Sequence, residues 1–383
     1  MNRPEIASLG GKMSKEEESV LTAIVIGAGM RGSVYAQYAH SFPSRLKIVG
    51  VAEPRKFYRR KLQNCFDIPE QNCFSDWSDA SKRDKMSDCV IITTPDRLHK
   101  DPAVAFAKKG YHILLEKPMA VNEEDCREIV ETCKENGVTL AICHVLRYTP
   151  WAQKLRELID SGVIGEVVNI NHTEPPPGSA SRCMDCPSSI ESKCPYSAKR
   201  IYLDEVKQFN TGWPVCVITE EPTIESVTTA LKTGPYGVCV YDNDNDVMSN
   251  QVVNMQFEGG ATATLTMMAF TQSVCTREVK IYGTKGQLSC VATGSPIIKH
   301  SNFVTEKTHE YRADAIMQKG MSGHGGADFH CIHSFVSSII NENPADILTG
   351  PDESLTGHLL VFAAEKARKE NRVVTLQSDG TYN

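Results

Sequence analysis

The sequence has no long apolar run. Nowhere in its 383 residues does an uninterrupted apolar stretch approach the ~20 residues that span a bilayer as a helix. It has no surplus of positive charge either. Its 41 Lys and Arg stand against 47 Asp and Glu, a formal charge of −6, which disfavours nucleic acid and anionic membranes as partners. Residues 1–19 do not read as a secretory leader: they are polar and contain Glu16-Glu17-Glu18, acids that also disfavour an organelle transit peptide. Residues 1–20 therefore read as a disordered lead-in. On that reading the 14 cysteines are expected to be free thiols of a reducing, cytoplasmic compartment rather than a disulfide framework. One pattern is absent altogether: no Asp-x-x-x-His or Glu-x-x-x-His occurs anywhere. What is present is enough apolar residue, 41%, for ordinary cores, in a chain long enough for two domains.

The first informative stretch is residues 22–27, a short β-rich run. Gly27-Ala28-Gly29-Met30-Arg31-Gly32 follows it and leads into a helical stretch at 33–41. This is Gly-x-Gly-x-x-Gly between a strand and a helix, the setting in which it cradles a dinucleotide. Gly27 permits the tight turn, Gly29 lets a pyrophosphate approach the backbone, and Gly32 allows close helix–strand packing. Met30 and Arg31 fill the variable positions beside the ligand. The helix N-terminus offers N–H groups to the anion. A second strand, 47–52, ends in Glu53, about 20 residues on, where an acid takes the ribose hydroxyls. Glu53 repels a 2′-phosphate and so favours NAD. Arg55 stacks on adenine or meets a phosphate, which leaves NADP open.

Strands and helices go on alternating: helix 55–65, strands 72–74 and 87–93, helix 98–110, strand 111–115, helix 121–137, strand 138–143. That rhythm means a parallel, doubly wound sheet. The strand at 111–115 runs into Glu116-Lys117-Pro118. In open α/β sheets ligands bind outside the carboxyl ends of the strands, and Pro118 turns the backbone over that place. Lys117 is then a cofactor-side residue, or simply a surface lysine after a core strand. Asp96 reads equally as a site residue or as the N-cap of the helix starting near residue 98.

Four motifs stand in order: Gly27-x-Gly-x-x-Gly32, Thr93-Thr94-Pro95-Asp96-x-x-His99, Glu116-Lys117-Pro118 and His144-x-x-Arg147-Tyr148-x-Pro150. In them the chain resembles the glucose–fructose oxidoreductase/inositol dehydrogenase (Gfo/Idh/MocA) family, over residues 22–376. The resemblance implies an α/β plus α+β fold: an N-terminal Rossmann domain at 21–147 that binds NAD(P), and a C-terminal domain at 148–383 on a large, mostly antiparallel sheet. It implies an oxidoreductase of sugar, cyclitol or polyol CH–OH groups that pairs subunits through that sheet. By the same carry-over Thr94, Pro95 and His99 lie along the cofactor. Lys117 moves the proton and binds substrate, with Glu116 as its orienting partner or as a helix cap. His144, Arg147 and Tyr148 line the cleft, and the glycine turn holding His324 lies near it. Chemically this is coherent, since oxidising an alcohol sends a hydride to the nicotinamide and a proton to a base.

The second half starts with a helix at 151–161 and a strand at 167–173. From about 174 to 216 the chain is polar and broken by Pro175-Pro176-Pro177, a Cys-rich loop with no apolar period. Cys183-x-x-Cys186 is a natural thiolate chelate and Cys194 a third corner of a structural zinc site, with Cys216 the nearest fourth donor. Such a loop has no means of burying the thiols as hydrophobes. Zinc and unpaired, redox-sensitive thiols both remain open readings. Strand-like alternation resumes at 224–231. Residues 241–246 lack the glycine and distal glutamate of a calcium loop and read as a polar turn. Strands at 252–257, 261–269, 278–282 and 286–291 follow. A helix at 329–341 has Asp328 as its N-cap, another lies at 355–370, and a short strand at 373–376 ends the fold.

The missing Asp-x-x-x-His now matters. The family places such a pair on a helix after the first strand of the second domain, to face the lysine. Here the chain passes directly into Glu174-Pro-Pro-Pro-Gly178, which reads as a deletion or an alternatively spliced form. His172, on a strand, is no equivalent, and His324 and Asp328 stand in the reverse order. Two functions stay in play: an NAD-dependent oxidoreductase with Lys117 as acid/base, and an impaired isoform that keeps dinucleotide binding as a regulatory subunit.

Overall fold

The computed structural model describes residues 20–383 except 175–182, 187, 240–247, 249, 269–275, 293–295 and 314–322. The lead-in at 1–19 and the polar turn expected at 241–246 fall outside the described residues.

The first half alternates as its sequence suggests. The order is β1 (Leu21–Ile26), α1 (Met30–Ser41), β2 (Leu46–Ala52), α2 (Lys56–Phe66), β3 (Cys73–Phe74) and α3 (Trp77–Lys82). Then come β4 (Cys89–Ile92), α4 (Lys100–Ala107), β5 (His112–Leu115), α5 (Glu123–Glu135) and β6 (Leu140–Ile142). The six strands form one parallel sheet in the order β3-β2-β1-β4-β5-β6. The order in which strands are added reverses between β1 and β4, the switch point where such sheets open a crevice. The strands are mostly apolar because helices cover both faces; all four residues of β4 are buried.

The second half contributes α6 (Pro150–Asp160), β7 (Val167–Glu174), and two single-turn helices, α7 (Ser188–Glu191) and α8 (Asp204–Lys207). It continues with α9 (Ile224–Thr233), then β8 (Asn250–Gln256), β9 (Thr262–Met268), β10 (Glu278–Gly283), β11 (Gly286–Val291), β12 (Ile297–Asn302) and β13 (Thr308–Arg312). Helices α10 (Ala327–Ile340) and α11 (Pro351–Glu370) close the fold. The second sheet runs β13-β12-β11-β10-β7-β9-β8, antiparallel except for the β7–β9 pair. Alternate residues of β10 and β11 point inward, and Leu155 and Leu158 of α6 pack over them with Ile164. Helix α10 instead packs on the first sheet: its Phe329, Ile332, Phe335 and Val336 share a core with Val25, Tyr35, Ile48 and Leu114.

Several expectations fail in instructive ways. Residues 224–231 are helical. Thr223 and Ser226 cap each other reciprocally, and Val227 and Leu231, one turn apart, are both fully buried. Their burial supplies about 1.5–3 kcal/mol each. The stretch at 174–216 is not one long loop. It holds α7, a π turn at Lys199–Leu203 and α8, and with α9 it builds a small core of Cys183, Ala198, Tyr202, Val206, Val215, Val227 and Leu231. Residues 373–376 form no strand; Leu376 makes a single bridge to Tyr382. Asp96 caps nothing with its side chain: residues 96–98 form a 3-10 turn and α4 starts only at Lys100. Asp328 is no cap either, since it lies within the first turn of α10 behind Gly326.

Candidate active site

The register of the first sheet brings the strand ends level. Ile26 pairs with Ala52 and Ile92, Ile92 with Leu115, and Leu115 with Ile142. Gly27, Glu53, Thr93, Glu116 and Cys143 therefore emerge in one row along the crevice.

The glycine turn is built for close approach. Gly27 has φ +91°, and a Cβ there would lie 2.7 Å from the Thr93 carbonyl oxygen. A Cβ on Gly32 would meet the Gly27 carbonyl oxygen at 2.1 Å. At Gly29 only the Arg55 guanidinium lies within contact range, at 3.3 Å. Thr93, which the motif reading passed over, donates its hydroxyl to Gly27 O at 2.5 Å and so ties β4 to the turn. Helix α1 begins behind Gly29 with no acid of its own in its first turn, so its N-terminal N–H groups are offered to an anion. This cradle fits a dinucleotide pyrophosphate.

Glu53 is buried, and its carboxylate accepts from Ala28 N–H (2.9 Å) and from Arg55 through N–H (3.0 Å), Nε (2.8 Å) and Nη2 (3.0 Å). Burial alone would raise its pKa, but these hydrogen bonds and the Arg55 charge outweigh it and hold it below the ordinary carboxylate value. The Arg55 guanidinium also lies 4.2 Å from the Tyr58 ring centroid.

The middle of the row is an ion network centred on Arg31. Its Nε meets Glu116 Oε1 at 2.5 Å, its Nη2 meets Asp328 Oδ1 at 2.7 Å, and Nη1 reaches Asp328 Oδ2 at 3.2 Å. Tyr35 also bonds Arg31, and its hydroxyl donates to Glu116 Oε1 at 3.0 Å. Burial opposes the charge on Arg31. The hydrogen bond to Asp328, with the Tyr35, Glu116 and Asp328 charges, more than offsets this, so the guanidinium stays protonated. Asp328 is 1% exposed. Burial would raise its pKa, yet hydrogen bonds from His324 and Arg31 bring it from 3.8 down to about 2. The Nδ1 of His324 lies 3.2 Å from both Asp328 oxygens. A His–Asp pair one helical turn apart thus exists here, in the order opposite to Asp-x-x-x-His.

Lys117 projects from the end of β5 and is exposed, with its backbone N–H donating to Glu116 Oε2 at 2.8 Å. Two histidines fix the turn after it. The buried His99 ring bridges Pro118 O (2.7 Å) and Thr94 O (2.8 Å). Pro95, exposed, lies in the turn between them. His358 accepts Met119 N–H on Nε2 at 2.8 Å and gives Nδ1–H to Ser354 O at 2.7 Å, which defines a neutral tautomer. Nothing in the sequence of α11 marked His358 for this role. His144 stands beside these groups, its ring centroid 5.6 Å from that of His358 and its Nε2 buried without a partner. Burial, then the neighbouring His358, Arg147 and Lys117, push its pKa down to about 4.

Tyr148 is buried, and its hydroxyl is engaged by Thr349 Oγ1 (2.9 Å) and Leu348 N–H (3.2 Å), which braces the turn after β6. Arg147, next to it, is exposed. One site expectation needs correction. The zinc donor set is not assembled: among the described residues no three His, Cys, Asp or Glu side chains are grouped to hold a metal. Cys183 packs as a hydrophobe in the small helical core. Burial pushes its thiol up, and the nearby Cys239, Cys194 and Cys186 add to that shift. Cys194 and Cys186 are half-buried.

Comparison with known proteins is consistent with this geometry. The model of the Gfo/Idh/MocA oxidoreductase family, NAD-binding Rossmann fold, matches residues 21–144. Over these residues, about a third of the chain, the sequence is similar to the Gfo/Idh/MocA family. Among curated relatives, the 2,7-anhydro-N-acetylneuraminate hydratase of Escherichia coli is 36% identical over 152 residues, 39% of this chain and 38% of that protein. The inositol 2-dehydrogenase of Salmonella typhimurium is 30% identical over 152 residues, 39% of this chain and 45% of that protein. These matches thus span less than half of either relative. The likeness of fold extends further along the chain. An inositol dehydrogenase homologue from Azotobacter vinelandii, solved with NAD+, superposes with a TM-score of 0.65 at 14% identity, covering 94% of this chain and 98% of that one. An Agrobacterium radiobacter oxidoreductase, solved with NAD+, L-tartaric acid and magnesium, gives 0.66 at 15% identity over 92% of this chain and 97% of that one. Among the described residues no helix is long and apolar enough to cross a membrane.

Proposed function

We propose that this Gfo/Idh/MocA chain is an NAD(P)-dependent oxidoreductase that interconverts a CH–OH group and a carbonyl on a sugar, cyclitol or polyol, with Lys117 as acid/base. The observation that carries the reading is the position of Lys117. It stands exposed at the carboxyl end of β5, beside the switch point that holds the Gly27–Gly32 turn, with Glu116 locked by Arg31 and Tyr35. The names of the relatives, a dehydrogenase of inositol and a hydratase of an anhydro-sugar, suit a small carbohydrate substrate.

The roles follow from the geometry. The Gly27–Gly32 turn and the α1 N-terminus hold the pyrophosphate, and the bound nicotinamide supplies or accepts the hydride. Lys117 takes the hydroxyl proton during oxidation and returns it during reduction. His99 and His358 hold the backbone on either side of Pro118, which fixes where Lys117 points. Thr94, Pro95 and His99 form the wall along the cofactor, and His144 and Arg147 flank the substrate. Glu53 favours NAD, because a 2′-phosphate would meet its buried carboxylate. Arg55 must first swing away from Glu53, which leaves the arginine free to meet NADP instead. The working protein is a cytoplasmic homo-oligomer paired through the second sheet, divided into a cofactor domain at 21–147 and a substrate domain at 148–383.

The test is Lys117→Met. Polyol-dependent NADH formation should vanish while NADH still binds, read by protein-to-cofactor fluorescence transfer. Turnover at the wild-type rate would remove Lys117 from the mechanism. The missing Asp-x-x-x-His helix supports a second reading, a dinucleotide-binding regulatory subunit. NADH binding with no turnover across a polyol and sugar panel would favour it.

A further inference from the structure

The helices between β7 and β8 belong to the second half of the chain, yet they meet the cofactor side of the first. Arg55 stands just before α2, and its Nη2 lies 3.3 Å from where a Cβ on Gly29 would be, beside the turn that receives a pyrophosphate. Nε and Nη2 are committed to Glu53, while Nη1 makes no hydrogen bond among the described residues. The hydrogen bonds to Glu53 hold the Arg55 pKa above its ordinary value against the pull of burial, and the Glu53, Tyr58 and Glu220 charges add to this. Burial raises the Tyr58 pKa, Arg55 opposes the rise, and Glu220 and Cys216 reinforce it. Two neighbouring side chains at the start of α2 thus feel the same segment, 216–220, which lies across from them.

That segment is held at both ends. Val215 is fully buried in the small helical core. Cys216 N–H donates to Gly212 O at 3.0 Å, and Ile218 N–H to Val215 O at 3.2 Å. Just past Glu220, the Glu221 carbonyl accepts the Ser226 hydroxyl at 2.7 Å, which ties it to the capped start of α9. The backbone of Glu220 is therefore fixed, while its side chain is exposed and makes no hydrogen bond or ion pair among the described residues. An uncommitted carboxylate thus faces a guanidinium that a ligand must displace. Ribose hydroxyls that take Glu53 deprive Arg55 of its partner. A guanidinium left alone there attracts a 2′-phosphate, whereas one paired with a second acid does not.

We propose that Glu220 takes up the Arg55 guanidinium when the cofactor ribose displaces it from Glu53, and so sets the preference for NAD over NADP. Glu220 is a positioning residue: it acts through Arg55, from the other half of the chain. This deepens the NAD reading given above and rests on it. Glu53 supplies the acceptor for the ribose, and Glu220 removes the cation that would otherwise welcome the phosphate.

The experiment reads binding alone, so it needs no substrate. NADH and NADPH are titrated by fluorescence against the full chain at low ionic strength, where an exposed charge is least screened. Glu220→Gln should lower the ratio of the NADPH to the NADH dissociation constant by about fivefold, the order an exposed ion pair supplies. Glu220→Asp should restore most of the wild-type ratio. In an Arg55→Ala background Glu220→Gln should change nothing, because the group it acts through is gone. Glu221→Gln removes the same charge one residue along and should leave the ratio at the wild-type value. A ratio unmoved by Glu220→Gln, a shift that persists without Arg55, or an equal shift in Glu221→Gln overturns the proposal. A wild-type chain that favours NADPH, yet still shifts with Glu220→Gln only where Arg55 is present, sustains the role of Glu220 and defeats the NAD preference instead. A chain that binds neither cofactor defeats the dinucleotide reading and this proposal with it.

Discussion

Replacing Asp328 with asparagine tests the ion network at its most buried member. Asparagine keeps the shape and one acceptor oxygen but removes the charge that faces Arg31 and His324. The acid's pKa falls from 3.8 to about 2 on folding. At about 1.4 kcal/mol per pKa unit, the native state holds the ionised form by roughly 2.5 kcal/mol. A depressed carboxylate contributes its stability fully above the unfolded pKa and loses it as pH falls through the folded one. The contribution should therefore be complete at pH 7, begin to fade below about pH 4, and be gone near pH 2. We expect Asp328→Asn to lose roughly 2–3 kcal/mol at pH 7 in urea unfolding followed by circular dichroism, and to lower Tm by on the order of 5 °C. Its stability should also fall less steeply than wild type below pH 4. A double-mutant cycle with Arg31→Met should return a coupling of about 1–3 kcal/mol. A variant within about 0.5 kcal/mol of wild type, with an unchanged acid transition, would show that Glu116 alone satisfies Arg31 and that the assigned role of Asp328 is wrong.

The remaining predictions concern single contacts. His358→Ala leaves the Met119 N–H buried without its acceptor, and should cost about 1–3 kcal/mol and lower turnover more than NADH affinity; equal losses in both would argue for a general packing defect. Arg55→Ala frees the Glu53 carboxylate, so the ratio of NADPH to NADH dissociation constants should rise about tenfold in fluorescence titrations, and an unchanged ratio would acquit Arg55 of any part in discrimination. Gly32→Ala drives a methyl to 2.1 Å from the Gly27 carbonyl, so dinucleotide binding should be lost and stability should fall by about 1–3 kcal/mol; intact NADH binding would contradict the close packing described.

The parallel sheet was legible because its signals are local. Buried apolar runs, glycine stops and Gly-x-Gly-x-x-Gly each specify their own few residues, and the strand ends at Gly27, Glu53 and Glu116 follow from them. Residues 224–231 misled because Thr, Val and Ser alternate there like a strand. The deciding information was the Thr223–Ser226 cap and the i, i+4 pair of Val227 and Leu231. The strands β12 and β13 carry Lys299, His300, His309 and Glu310, a polar content that hides their period in the sequence. At the site, Lys117 and the glycines could be read from motifs. The roles of Arg31, Asp328 and His358 could not, because each depends on a partner from 85 to 297 positions away. Asp328 in particular has the sequence context of a helix cap, and only the fold shows that Arg31 reaches it.

The packing of α10 on the first sheet has a consequence for how this protein can be divided. Phe329, Ile332, Phe335 and Val336 contribute on the order of 6–12 kcal/mol of burial to a core that otherwise belongs mainly to residues 21–148. That is comparable to the whole net stability of a typical domain. Cutting the chain after residue 147 would expose the α1 side of the sheet as an apolar patch and leave Arg31 without Asp328. The nucleotide-binding segment is continuous in sequence, yet it is completed only by a helix that arrives almost two hundred residues later. Gain or loss of material between β7 and β8 leaves that closure untouched, whereas any truncation before α10 would remove the closure from the cofactor site itself.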